Sequence, residues 1–190
     1  MATNTPSLTD TNQPTSTNGW DCVSVLRFPD VNAAIIKQKS SPPGFSESDT
    51  DETFGLITFN GNFGDWQLSG GDGKLVWIDM PLNNSVFSML NKSHSYPKTM
   101  HATVEVNMLW IEQATKPNAT TSGFDLKVDP GVTINVENID VGANTESDGS
   151  KISDVTNGIM KSSLQSWLLK NISQFDHVFA SVDIAEQVDT

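Results

Sequence analysis

One long stripe of apolar residues near the carboxyl end constrains the fold of this chain more than any other feature. The stripe comprises Val155, Ile159, Leu164, Trp167, Leu168, Ile172 and Phe175. Its spacing has the period of an α-helix and predicts the one long helix of the chain, ending near Phe175. Such a helix must bury its stripe, and the apolar face of an antiparallel sheet is the surface large enough to cover it.

Alternating apolar residues in the rest of the chain predict the strands of that sheet. The predicted strands are Thr53–Asn60, Asp65–Ser69, Lys74–Met80, Thr99–Gln113, Phe124–Val128, Val132–Val136 and a last one with Val178, Ala180, Val182 and Ile184. Gly70-Gly71-Asp72-Gly73 predicts a hairpin turn, and Pro130-Gly131 joins two strands tightly. The glycines are not expected to hold a phosphate, because no helix opens after them.

The segments before the first strand predict a short helix and a loop. Pro29-Asp30 starts the helix, which places Val31, Ala34 and Ile35 on one face and ends at Pro42-Pro43-Gly44. Residues Ser46–Glu52 carry four acids in seven positions and predict a solvated loop. The predicted class is α+β, with one curved antiparallel sheet wrapped around one long C-terminal helix.

The predicted domain organisation is one ordered domain between two tails. Residues 1–18 contain thirteen Ser, Thr, Asn or Pro and predict a disordered tail. Order is expected to begin near Trp20, within a single domain at 19–185, and residues 186–190 form a short acidic tail. No internal repeat and no second domain are expected.

Composition limits the classes of function. A formal charge of −12 would repel a phosphate backbone and argues against a general nucleic-acid binder. No apolar run is long enough to span a bilayer, and the N-terminus lacks the order of a signal peptide. We therefore expect a soluble protein, cytoplasmic or secreted without a classical signal peptide.

No residue can be assigned to catalysis, to a cofactor or to a metal. The three histidines, His94, His101 and His177, lack metal-ligand spacing, and the lone Cys22 is expected to be a buried inert thiol. The acidic cluster of Glu47, Asp49, Asp51 and Glu52 offers carboxylates for calcium. A solvated face is the favoured interpretation, because the glycine and terminal glutamate of an EF-hand loop are missing.

Two alternative functions rest on surface properties. Trp20, Trp66, Trp77, Trp110 and Trp167 would stack sugars if they were exposed on a sheet, as in a β-rich carbohydrate-binding module. That hypothesis fails if Trp66 and Trp77 are buried against the helix, and gains if they line one open face. A protein-interaction subunit would instead show an exposed apolar patch of more than a few hundred Å².

Three separated segments of the chain carry motifs that can be compared with those of known families. The first segment is Asn18-Gly19-Trp20-Asp21 with Val31-Asn32 and Ala34-Ile35. The second is Gly64-Asp65-Trp66 with Gly70-Gly71 and Gly73-Lys74-Leu75. The third runs from Trp167-Leu168 through Asn171-Ile172 and Phe175 to His177-Val178-Phe179-Ala180. In this order the three segments resemble the clostridial OrfX and forty-seven-kilodalton protein group, a branch of the tubular lipid-binding (TULIP) superfamily, and the resemblance spans Asn18 to Ile184.

The resemblance implies a curved sheet around a long helix, often with an apolar groove between them. It also implies a non-enzymatic accessory protein encoded beside toxin genes, with a lipid or another hydrophobic ligand and a toxin-complex or OrfX-like protein as partners. The competing interpretation is that Val104, Val106, Met108, Leu164, Leu168 and Ile172 form an ordinary packed core. Larger members of the group continue beyond the strand at Ile184, so we expect a short or truncated member, or a groove completed by another chain.

Overall fold

The structure, a computed structural model, describes residues 27–72, 74–113, 121–131 and 134–185. Trp20, Cys22 and the two predicted tails lie outside the described residues, so the domain boundaries and the inert thiol stay predictions. The helices are α1 (Phe28–Gln38) and α2 (Asp154–Asn171), the latter followed by a 3₁₀ turn at Ile172–Gln174. The strands are β1 (Gly44–Asp51), β2 (Gly55–Phe63), β3 (Gln67–Asp72), β4 (Leu75–Met89), β5 (Lys92–Tyr96), β6 (Met100–Glu112), β7 (Thr121–Val128), β8 (Asn135–Asp140) and β9 (Ala180–Ala185).

All pairings between these strands are antiparallel, and their main order is β1-β2-β4-β6-β7-β9. The two longest strands, β4 and β6, each pair with more than one neighbour along an edge. On β6, residues 101–105 pair with β8 and residues 108–112 pair with β7. Register shifts at Asn60/Asn62, Leu68/Gly70 and Thr103/Val104 mark irregularities of the kind that bend a strand. The sheet is consequently curled into a half-barrel.

Helix α2 lies against the inner face of this sheet and packs on β1, β2 and β8. The Ser153 hydroxyl caps its first turn by accepting from the Thr156 N–H at 3.0 Å. Its buried stripe holds Met160, Leu164, Trp167 and Leu168. Val155 belonged to the predicted stripe but is 57% exposed, and the buried residues of the helix begin at Thr156 instead. The predicted α+β class and the long C-terminal helix are confirmed.

Aromatic side chains join the helix to the sheet at the β1–β2 end. The Trp167 ring lies 5.3 Å from the Phe63 ring and 6.4 Å from the Phe45 ring, measured between centroids. Trp66 is fully buried, with its ring centroid 5.1 Å from Phe63 and 4.7 Å from Phe175. These contacts fix the end of α2 and the segment after it against the sheet.

The predicted loop at Ser46–Glu52 is wrong, because Ser46–Asp51 form most of strand β1 and only Glu52 lies in the turn that follows. Asp51 pairs with Gly55 across a tight turn, where the Asp51 carboxylate accepts from the N–H groups of Thr53 and Phe54 at 2.7 and 2.9 Å. Gly55 has a φ of 71°, a conformation that favours glycine. Acidic side chains are tolerated here because β1 is an edge strand, where charge discourages pairing with other chains.

Other strand boundaries also differ from the predictions. Gly70 and Gly71 lie in β3 instead of the turn, and β4 continues nine residues past Met80 to Met89. Strand β5 was not predicted, since Lys92–Tyr96 is too polar to show an apolar alternation. The predicted strand Val132–Val136 begins only at Asn135 in the described residues and continues to Asp140. It does not form a hairpin with β7, because both strands pair with β6.

Helix α1 matches its prediction in position, with Val31 and Ile35 buried. It ends at Gln38, and Lys39 adopts the left-handed conformation with a φ of 52° that closes many helices. The helix thus ends four positions before Pro42. Asn32 fixes α1 to β3, since its side chain accepts from the Leu68 N–H at 2.7 Å and donates to the Leu68 carbonyl at 3.1 Å.

Candidate functional site

The interior beneath α2 is a packed core. The six residues proposed for either a groove or a core are all buried: Val104, Val106, Met108, Leu164, Leu168 and Ile172. They belong to one contiguous cluster that includes the aromatic side chains of β1 and β2. At these positions the packed-core interpretation describes the structure better than an open groove does.

The inner face of the sheet continues beyond the helix, at the end formed by β6, β7 and β9. The pairing register places Trp110 beside Leu126 and Leu126 beside Ala180. Phe124 and Val182 form the neighbouring cross-strand pair. We call the side chains of Trp110, Phe124, Leu126 and Val182 the open strip.

The open strip is apolar and incompletely covered. Trp110 is 36% exposed, and Phe124, Leu126 and Val182 are half-buried. Even-numbered residues of β6 face inward, so Trp110 follows directly on the buried Met108 and the strip continues the core. Two strand spacings make the strip about 10 Å wide. It can therefore accept an elongated apolar group in contact with the core.

The opposite face of the same sheet end is also apolar. Leu109 and Ile111 lie on the outer face of β6 and are 45% and 37% exposed. Their cross-strand neighbours are Lys127 and Asp125, and Lys127 forms an ion pair with Asp176. Hydrogen bonds from Ser181 and Gln113 hold the pKa of Asp125 below its usual value, so this carboxylate is ionised at neutral pH. This end of the sheet thus presents apolar groups on both faces.

A second candidate region is the cleft between β5 and the loop before α2. Two adjoining cavities of about 320 and 270 Å³ share His94, Glu146 and Ser147 in their walls. The His94 Nδ1 atom lies 2.9 Å from a Glu146 carboxylate oxygen and 3.1 Å from the Ser147 hydroxyl. A serine-hydrolase relay needs the acid and the serine on opposite ring nitrogens, so this cluster does not have that geometry.

Tyr96 lies deep in the same region. Burial, and then the nearby Glu146 carboxylate, raises the pKa of Tyr96 to about 12. The phenol is therefore neutral at physiological pH and does not release its proton there. The cluster around His94 ties β5 to the loop, which is the structural role that its contacts support.

The three histidines lie in three different environments. His94 lies in the cleft, His101 lies on the outer face with its Nδ1 atom 3.1 Å from Asp79, and His177 is buried with its Nδ1 atom 3.0 Å from the Ser40 hydroxyl. Burial lowers the pKa of His177. Within the described ranges, no group of three or more His, Cys, Asp or Glu residues is arranged to hold a metal ion.

The acidic cluster considered for calcium is divided between the structure's interior and its surface. Glu47 points inward, where it pairs with Lys170 and accepts a hydrogen bond from Ser166 at 3.0 Å. Asp49 and Asp51 are exposed and accept from nearby backbone N–H groups instead. A solvated face describes Asp49, Asp51 and Glu52, whereas for Glu47 it is wrong.

The four tryptophans that the structure describes do not form one exposed platform. Trp66 and Trp167 are buried in the core, whereas Trp77 and Trp110 are exposed on opposite faces of the sheet. Trp66 and Trp77 are therefore neither both buried against the helix nor together on one open face, so neither condition set for the carbohydrate hypothesis is met. Of the two, only Trp77 is exposed.

The open strip was not predicted as a site. Its residues were assigned to strands, but the sequence does not show which strands are neighbours. The signal available was the alternation in Phe124–Val128 and in the last strand, which gives each an apolar face. The Glu47–Lys170 pair had no such signal, since its members are 123 positions apart.

The described helices include none with the length and apolar character that a membrane crossing requires.

Protein OrfX3 of Paraclostridium bifermentans is 27% identical to this chain over 196 residues. The match covers 92% of this chain and 39% of that protein.

Two solved structures share the fold. P47 from Clostridium botulinum A2 matches with a TM-score of 0.61 and 15% identity, over 86% of this chain and 37% of that one. P47 of Clostridium botulinum E1 matches with a TM-score of 0.60 and 16% identity, over 86% of this chain and 36% of that one. The chain therefore spans less than two-fifths of the length of each of these relatives.

A family model matches residues 17–189, which is nearly the whole chain. The family is OrfX-like and is described as "Protein OrfX2/OrfX3/P47". The sequence resemblance, the fold and this match agree, and the chain belongs to the OrfX-like family.

Proposed function

We propose that this chain is a non-enzymatic, TULIP-like accessory domain of a toxin-associated protein, and that its open strip binds a lipid or another hydrophobic ligand. The observation that carries the proposal is the exposure of Trp110 on the inner face of the sheet, next to the buried Met108. A tryptophan in that position loses contact with water only when something else covers it.

The physical contribution of such a ligand is the burial of its methylene groups. Each methylene that leaves water contributes about 0.8 kcal/mol. Two added methylenes therefore raise the affinity by up to about 1.6 kcal/mol, or about fifteenfold. The charge of −12 disfavours an anionic headgroup, so we expect neutral lipids to bind better than acidic ones.

A second candidate function is that of a protein-interaction domain. Leu109 and Ile111 favour it, because they make the outer face of the same sheet end apolar as well. A sheet with two apolar faces is typical of a layer covered by protein on both sides. The occupant would be another chain or a further part of a longer protein, as the length of the relatives suggests.

Native mass spectrometry of the purified protein tests the ligand proposal. The protein is examined as purified and after incubation with monoacylglycerols of increasing chain length. We expect one bound lipid whose occupancy rises with chain length. Trp110→Ala should reduce the occupancy, whereas Trp77→Ala is the matched control because Trp77 is similarly exposed on the other face.

The two candidate functions give different results in this experiment. If no lipid co-purifies and none is taken up, the ligand proposal is refuted and the protein-interaction function is supported. Equal loss of lipid in the Trp110 and Trp77 variants would also refute binding at the open strip. Circular dichroism of both variants verifies that each retains the wild-type fold.

A further inference from the structure

Trp77 forms a fixed aromatic surface on the outer face of the sheet. Its indole N–H donates to a Glu105 carboxylate oxygen at 3.3 Å, across the β4–β6 pair. Its ring lies directly over Gly70 of β3, because a Cβ atom on Gly70 would fall 2.3 Å from the Trp77 Cε3 atom. Trp77 nevertheless remains 41% exposed. One ring face therefore lies on bare backbone, and the other faces solvent.

A row of polar side chains crosses the sheet beside this ring. The pairing register places Gln67 opposite Asp79, Asp79 opposite Thr103, and Thr103 opposite Asn138. Directly opposite residues of an antiparallel pair share a face, so all four side chains lie on the outer face with Trp77. Three strand spacings give the row a length of about 14 Å. His101 contacts the Asp79 carboxylate at 3.1 Å and helps to fix its position.

The row combines hydrogen-bond donors and acceptors. Gln67 and Asn138 offer amide groups of both kinds, Thr103 offers a hydroxyl group, and Asp79 offers a carboxylate. A sugar ring has an apolar face of C–H groups and a rim of hydroxyl groups, which need an aromatic surface and mixed polar partners respectively. A fixed indole beside a polar row meets both needs.

The charge of this face selects among sugars. Asp79 and Glu105 flank the ring, and the whole chain carries a charge of −12. A sialylated or sulfated sugar would meet negative charge at close range, whereas a neutral sugar would not. We propose that the outer face around Trp77 binds a neutral glycan, with Trp77 as the stacking surface and Asp79, Thr103 and Asn138 as hydrogen-bonding partners.

This site is separate from the open strip, since Trp77 and Trp110 lie on opposite faces. Binding of a glycan and binding of a lipid are therefore independent proposals. Loss of one activity by substitution should leave the other unchanged.

The test is a binding screen of the wild-type chain against immobilised neutral oligosaccharides and their sialylated counterparts, followed by titration calorimetry with the best binder. We expect a neutral oligosaccharide to bind and its sialylated form to bind more weakly. Trp77→Ala should weaken binding by about tenfold or more. Trp110→Ala should leave it unchanged, and Trp77→Phe should retain part of it.

A second variant, which leaves Trp77 unchanged, keeps the test valid if Trp77→Ala does not fold. Asn138→Lys changes an exposed residue at the end of the row and should weaken binding by blocking the row. The proposal is overturned if no neutral oligosaccharide binds, if the sialylated form binds more tightly, or if both Trp77→Ala and Asn138→Lys bind as the wild type does.

Discussion

Two adjacent leucines of α2 provide a sharp test of how the helix packs on the sheet. Leu168 is fully buried against the inner face, whereas Leu169 is 50% exposed. Replacing either residue by alanine makes the same chemical change in the same helix, and alanine favours the helix slightly more than leucine does. Any large difference between the two variants therefore reports burial against the sheet.

The magnitude follows from the atoms that are removed. Leu168→Ala removes three carbon atoms from a fully buried position, and at about 0.8 kcal/mol each the transfer loss is about 2.4 kcal/mol. The residual cavity adds to this loss, so the expected decrease in the free energy of unfolding is about 2.7 to 5 kcal/mol. Leu169→Ala should change it by no more than about 0.5 kcal/mol.

Urea unfolding followed by far-ultraviolet circular dichroism measures both variants. Linear extrapolation gives the free energy of unfolding, and the denaturant dependence should be the same in wild type and variants. Burial of Leu168 against the sheet is ruled out if Leu168→Ala lowers the free energy of unfolding by less than about 1 kcal/mol, or if the two variants lose the same stability. Either result would mean that α2 does not bury this face against the sheet.

Three further predictions use the same unfolding assay. Glu47→Ala should lower the free energy of unfolding by about 1–3 kcal/mol, because it removes the partner of Lys170 and Ser166, whereas the exposed Asp49→Ala should change it little. Burial lowers the pKa of His177 from 6.5, so the unfolded chain binds a proton at this residue more readily than the folded chain does. The free energy of unfolding should therefore have its full value above about pH 6.5 and decrease as the pH falls below it. His177→Gln should remove most of that fall, and an unchanged acid slope would contradict the assignment. The pKa of Tyr96 is raised from 10.0 to about 12. The contribution of the neutral phenol to the free energy of unfolding is therefore complete below pH 10 and is lost as the pH rises towards 12. Tyr96→Phe should flatten this alkaline loss, and an equally steep loss in the variant would show that another group causes it.

Local periodicity accounts for the parts of the fold that the sequence predicts. The stripe of α2 and the alternation in β6 are each visible within one segment, and both elements are present at nearly the expected positions. The class follows, because a long amphipathic helix and apolar strands have to cover one another.

The errors arise where a partner outside the segment decides the structure. On their own, the acidic residues of β1 indicate a loop. They form an edge strand because they pair with β2 and because Lys170 contacts Glu47. Strand β5 is polar because much of it lies at the surface, so its pairing with β4 leaves no apolar alternation to detect. Propensity in strands depends on the neighbours, which a single segment does not show.

The candidate sites depend even more on distant pairing. The open strip needs β7 between β6 and β9, and the Trp77 surface needs Gly70, Glu105 and their strands in register. The sequence identified Trp77 and Trp110 as residues of interest but placed them in one set. Only the sheet register shows that they face opposite sides, and therefore belong to different sites.

Lipid binding at the open strip is tested most directly by fluorescence quenching with a monoacylglycerol that carries bromine in the middle of its acyl chain. Bromine quenches an indole only at close range, so the measurement reports contact between the chain and a tryptophan. We expect saturable quenching in the wild type that persists in Trp77→Phe and is lost in Trp110→Phe. Quenching that persists unchanged in Trp110→Phe, or no quenching in the wild type, would contradict binding at the open strip.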